Sequence, residues 1–176
     1  LPDLFAELRR RGLAGAPAEG ETMASPLYVC SAVFPLVLAG SRVSTRAGAK
    51  RFGLFEAGVP EDLLPVSSVV VPDLRQDAAT RTNLGITNAG PAASFRLEVH
   101  DGETGSLAAS RELSLASGEL LQLNSLLRDL APGTARGWAR VVPLSSARFL
   151  AWGVVMDCPE PGAASDDGSF VLGLPE

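Results

Sequence analysis

The sequence predicts an all-β protein, an antiparallel Ig-like β-sandwich built from one full and one partial copy of a repeat, with one or two short helical turns. Three observations predict it. The 176 residues are 46% apolar and only 20% charged, enough to fill a core, while 18 Gly and 13 Pro cut the chain into short pieces. Between those breaks lie roughly seven or eight strand-like runs spaced about ten residues apart, the spacing of sandwich strands and turns. Two stretches far apart in the chain also read alike, and a repeat constrains the fold more than any single element does.

The first element is helical. LPDLFAEL places Leu1, Leu4 and Leu8 three and four residues apart, the spacing of a short amphipathic turn. Arg9, Arg10 and Arg11 follow beside Glu7 and read as a solvated segment. The uncharged stretch from Ala24 to Gly40 is 17 residues long, at the short edge for a membrane span, and Pro26 and Pro35 interrupt it. A signal-peptide core would open a chain instead of following twenty-odd residues, so two buried strands joined by a turn are expected here.

The repeat runs through this region. LPDLFAEL matches LNSLLRDL at 123–130, LYVCSA matches GWARVV, and LVLAGSRVST matches RFLAWGVVMD. The first copy then reaches Phe52 and ends Val59-Pro60-Glu61; the second reaches Phe170 and ends Leu174-Pro175-Glu176. Residues 1–61 therefore read as the back half of a preceding module, and 62–176 as a complete one.

The front half occurs once, from Leu64 to about Gln122. VSSVVVPDL is a β-branched run, TRTNLGITN alternates Leu84 and Ile86 with polar neighbours, and SFRLEVHD alternates Phe95, Leu97 and Val99. That alternation turns Phe95, Leu97 and Val99 to a core and Arg96, Glu98 and His100 to water. Asp101-Gly102 and Thr104-Gly105 supply a hairpin turn into LAASRELSL. GELLQLN leads into NSLLRDLA, a helical turn for which Asn124 or Ser125 is the expected N-cap.

At PDLRQDAATRTNLGITNAG, FRLEVHDGETGSLAASRELSLASGELLQLNSLL, and LAWGVVMD to SFVLGLPE, the chain resembles uncharacterised repeat modules of secreted bacterial surface proteins. The likeness spans most of 62–176 and, more weakly, 34–61. It implies an extracellular β-sandwich without catalysis of its own, and no residue-level binding site. The chain departs from the pattern at DCPEPGAASDDGS, a longer loop containing a cysteine.

Composition excludes several functions. A net charge of −5, with Lys50 the only lysine and the arginines scattered, gives no basic surface for nucleic acid. His100 is the only histidine, and G-x-S-x-G, G-x-x-x-x-G-K-[ST] and H-E-x-x-H are absent from the sequence, so the parts for acyl transfer, nucleotide binding and zinc proteolysis are missing. No enzyme and no cofactor is expected. Cys30 and Cys158 are open to one disulfide or to two buried thiols. Asp157, Glu160, Asp166 and Asp167 bracket the loop 157–168 and could hold a calcium ion, although a solvated acidic turn is the plainer reading. Trp138 and Trp152 could form a stacking platform for a glycan, against the plainer expectation of core packing.

The functional expectation is a non-enzymatic extracellular structural module. In its assembling form the unpaired half-repeat exchanges strands between subunits and builds a surface filament. The alternative is a spacer or glycan-binding accessory module of a larger secreted protein.

Overall fold

The computed structural model describes residues 4–12, 18, 26–30, 32, 39–47, 50–157 and 168–176. Helix α1 spans Leu4–Arg10 and is followed by a hairpin of β1 (Gly40–Ala47) and β2 (Lys50–Ala57). A 3-10 turn at Glu61–Leu63 leads into β3 (Val69–Arg75), β4 (Arg81–Asn88), β5 (Ala93–Asp101), β6 (Leu107–Leu115) and β7 (Leu120–Leu123). After α2 (Leu126–Leu130) come β8 (Arg136–Pro143), β9 (Phe149–Met156), β10 (Gly168–Leu172) and β11 (Leu174–Pro175).

Nine strands form the two layers of a sandwich, all of whose strand pairs are antiparallel. One sheet has the order β10-β9-β4-β7 and the other β11-β3-β8-β5-β6, so the chain crosses between layers repeatedly as it runs from β3 to β11. This is the all-β architecture that the strand pattern predicts, and every strand in both sheets comes from 62–176.

The core follows from alternation. Phe95, Leu97 and Val99 of β5, Ala139 and Val141 of β8, and Val69 and Val71 of β3 are fully buried and face Leu84, Ile86, Phe149 and Ala151 of the other sheet. Phe95 and Phe149 meet edge to face across the layers, their ring centroids 5.1 Å apart at 61°. Helix α2 closes one end of this core by burying Leu126 and Leu127.

Residues 26–30 and the N-cap of α2 depart from expectation. Residues 26–30 form no strand, and Leu27, Tyr28 and Val29 are 63%, 57% and 53% exposed, because no sheet among the described residues presents a face for them to cover. Residues 24–25, 31 and 33–38 of the expected strand pair lie outside the described residues, and β1 begins at Gly40. Ser125 does occupy the N-cap of α2, yet it stands in the left-handed region at φ 47° and makes no side-chain cap bond. Its backbone N–H donates instead to Asn83 Oδ1 at 3.0 Å, which ties the helix to β4.

Candidate functional site

The most distinctive stretch, RTNLGITN, is β4 itself, and its polar residues hold the fold together. Thr82 Oγ1 accepts the Arg75 N–H at 2.8 Å and donates to the Arg75 carbonyl at 3.0 Å, lacing the two sheets at their edge. Asn83 orients α2 as described above. Asn88, fully buried, reaches the carbonyls of Pro91, Leu115 and Ala116 at 2.7, 3.2 and 3.1 Å through Nδ2 and accepts the Gly90 N–H through Oδ1. It therefore stitches the β4–β5 connection to the β6–β7 connection, and both Nδ2 protons are used inside the fold. Gly85 is bare because Trp152 lies over it; a Cβ there would sit 2.2 Å from the indole ring.

The two tryptophans are brought to opposite outer faces. Trp138 alternates with the core residues Ala139 and Val141, so it stands outside the five-stranded sheet, stacked on His100 directly across the strand pair at 3.9 Å and 3°. Trp152 alternates with the core residue Ala151 and stands outside the four-stranded sheet, 5.8 Å from Phe170. Both are half-buried, and neither packs in the core. The core expectation misses because the sandwich already fills its interior with Phe95, Phe149 and aliphatic residues. Nor do the two rings share one platform.

The outer face beside Trp138 is ionic. Glu98 lies opposite Arg140, accepts a bond from Arg96 Nε at 2.7 Å, and has His100 Nε2 3.8 Å away. Arg140 also donates to Glu176 at 2.8 Å through Nε, and that pairing, helped by Ser68, holds the Glu176 carboxyl below its ordinary range. His100 is turned to the outer face as expected, but the stack leaves its side chain only 17% exposed. Its Nδ1 lies 3.3 Å from the Gly105 carbonyl. Glu98 with Arg140 and His100 with Trp138 are cross-strand pairs that brace the sheet, and Arg96 adds a contact along β5; none of them forms a cleft.

Cys30 is an exposed free thiol among the described residues, while Cys158 lies outside them. Of the acidic loop, Asp157 is exposed, and Glu160, Asp166 and Asp167 lie outside the described residues. No helix among the described residues is long and apolar enough to cross a membrane.

The strand edges remain as interaction surfaces, and most are blunted. On β3 the register slips between Val71 and Leu74, where Pro72 lacks an N–H and Asp73 bulges at φ 59°, tied back by Arg75 at 2.9 Å. On β6, Arg111 pairs with the core residue Leu97 and so sets a charge in the inward row of an edge strand. β7 has only four residues, and β11 two. β10 has the N-terminal hairpin beside it: a Cβ on Gly168 would lie 3.9 Å from Leu54 Cδ1 of β2. β1 is different. Its eight residues run in unbroken register with β2, it contains no proline or bulge, and among the described residues it pairs with nothing on its other side.

The hairpin containing that open edge has the geometry of β9–β10. Gly58 N–H donates to the Ala39 carbonyl at 2.8 Å, and Gly173 N–H donates to the Ala151 carbonyl at 2.8 Å. The repeat aligns Ala39 with Ala151 and Gly58-Val59-Pro60-Glu61 with Gly173-Leu174-Pro175-Glu176. A Cβ would meet the alanine carbonyl at 2.9 Å in the first case and 2.7 Å in the second, so the same close approach demands the same glycine. Val-Pro-Glu and Leu-Pro-Glu were readable as matching tails, but the glycine before each was the sequence signal of the closure.

No family model matches the chain, and no curated protein matches it. Among solved structures, the crystal structure of Thermotoga maritima 1070 is similar at a TM-score of 0.49 and 13% identity, over 63% of this chain and 95% of that chain. A likeness of that size carries no functional weight.

Proposed function

We propose that the chain is a non-enzymatic structural module, a spacer of an extracellular or cell-surface protein, in which 62–176 is one complete unit and the N-terminal region is the closing half of another. The observation that carries this reading is the repeated glycine-to-alanine closure, 2.8 Å in both copies. Thr82, Asn83 and Asn88 of RTNLGITN support it, since their side chains bond to sheet, helix and loops within the fold. The extracellular placement rests on the resemblance of that stretch to secreted repeat modules.

The spacer form is preferred to the exchanging filament because the front half is already closed. β4 pairs with β9 on one side and β7 on the other, so a second subunit finds no open position there. For β1–β2 to displace β9–β10, the front half would exchange Phe149 for Val37 and Trp152 for Gly40, the residues that the repeat aligns. Truncating a buried phenylalanine to alanine costs about 3–5 kcal/mol, and valine goes part of that way.

Light scattering over a hundredfold range of concentration, with electron microscopy of the same sample, tests the choice. A monomer throughout is expected; polymers whose length grows with concentration would return the filament to first place.

A further inference from the structure

We infer that the edge of β1, which pairs with nothing on its outer side among the described residues, is a docking site for a second front half of the same repeat, one that is not closed by its own back half. The inference rests on the structural-module reading above and names the partner.

The argument is a residue-by-residue contrast between the two copies. Leu126 and Leu127 of α2 are 2% and 0% exposed, whereas α1 buries no residue and Phe5, aligned with Leu127, is 37% exposed. Ala139 of β8 is fully buried, whereas Val29, aligned with it, is 53% exposed. Ala151 and Gly173 are buried, whereas Ala39 and Gly58 are exposed although they make the same 2.8 Å bond to each other. In each of these pairs the residue type is apolar or small in both copies, and the second copy has β3–β7 packed over it. The front half is what covers these positions in the complete unit, so a front half is what the uncovered set fits.

The edge specifies a register. β4 pairs with β9 through Arg81 with Met156, Asn83 with Val154 and Gly85 with Trp152. Carried over through Ala39 and Ala151, the incoming strand sets its counterpart of Arg81 opposite Ser44, of Asn83 opposite Arg42 and of Gly85 opposite Gly40. A one-residue slip would turn the strand's apolar row away from the core, so no neighbouring register substitutes.

The test appends a second copy of residues 62–122 ahead of Leu1 in the full chain, with Cys30→Ser and Cys158→Ser, and follows amide exchange by NMR. The expected result is a monomer in which amides of Gly40–Ser44 slow by roughly a hundredfold or more relative to the unextended chain. A disulfide should then form between Ser44→Cys and a cysteine at the added copy's counterpart of Arg81, but not between that cysteine and Val43→Cys. Unchanged exchange at Gly40–Ser44, or a bond in the shifted register, overturns the inference. A disulfide between two unextended chains carrying Ser44→Cys and Arg81→Cys would also overturn it, in favour of exchange between closed copies. Exchange across β3–β11 in the unextended chain separates the two readings: fast exchange there would sink the structural module itself, whereas slow exchange there with an unprotected β1 would sink only the docking site.

Discussion

Gly85→Ala isolates one contact on which the four-stranded sheet depends. The added Cβ would lie 2.2 Å from Cε2 and Cζ2 of Trp152 and 2.6 Å from Cη2. Carbon atoms settle at about 3.5–4.0 Å, so the ring must retreat by roughly 1.3–1.8 Å. The backbone of β4 cannot yield, because it is bonded to β9 and β7 on both sides. The indole can, since its outer side is partly open, but it then gives up its seat on β4 and shifts against Phe170. Overpacking of this kind costs about 1–3 kcal/mol. The middle of that range, about 2 kcal/mol, lowers the melting temperature by about 4–8 °C for a chain of this size. Thermal unfolding by circular dichroism measures the loss, and tryptophan fluorescence reports the displaced ring, since Trp138 is the only other tryptophan. The decisive comparison is Gly85→Ala in a Trp152→Leu background, where most of the cost should vanish if the indole is its cause. An equal loss in both backgrounds would refute the reasoning.

Other perturbations follow from the same geometry. Asn88→Ala strands three carbonyls and the Gly90 N–H in a buried connection; a loss of about 1–3 kcal/mol is expected in urea titrations, and a loss under 0.5 kcal/mol would mean water replaces the amide. Phe149→Ala removes the ring that meets Phe95 and should destabilise by about 3–5 kcal/mol; a value near 1 kcal/mol would mean that the layers collapse onto the gap. Asp101 is held below the ordinary carboxyl range by the backbone N–H and hydroxyl of Thr104 and the N–H of Glu103, and Asp77 chiefly by the N–H of Ala79 and by Thr80. With Glu176 also lowered, folding binds these carboxylates more strongly than the unfolded chain does. Their contribution is complete above the unfolded values, about 4, and is lost as pH falls through the folded ones. Melting temperature should therefore be flat from neutrality to about pH 5 and decline below it, with a shallower decline in Asp101→Asn; a decline starting near pH 7 would point to another group.

The strands of the front half were legible because one face of each is buried. Alternation in Phe95, Leu97 and Val99, and the turn at Asp101 whose Oδ1 accepts the N–H groups of Glu103 and Thr104, are local signals, and both appear where the pattern sets them. LYVC reads equally well as a strand, but a strand needs a neighbour, and no residue within the segment itself reveals that 26–30 stay outside both sheets. The tryptophans show the same limit: apolar bulk suggests burial, while the register of β8 and β9 places the rings outside.

What the sequence determined by itself is the all-β class and the strand periodicity, because these are carried by spacing along the chain. The tertiary structure alone decided that RTNLGITN is consumed in holding the fold and that the front half is closed by β9 and β7. It alone left β1 with no pairing on its outer side among the described residues. Those outcomes depend on which strands compete for the same hydrogen bonds and the same apolar face. That competition is settled between segments far apart in the chain, where Phe149 and Trp152 make contacts that their aligned counterparts Val37 and Gly40 lack the atoms to make.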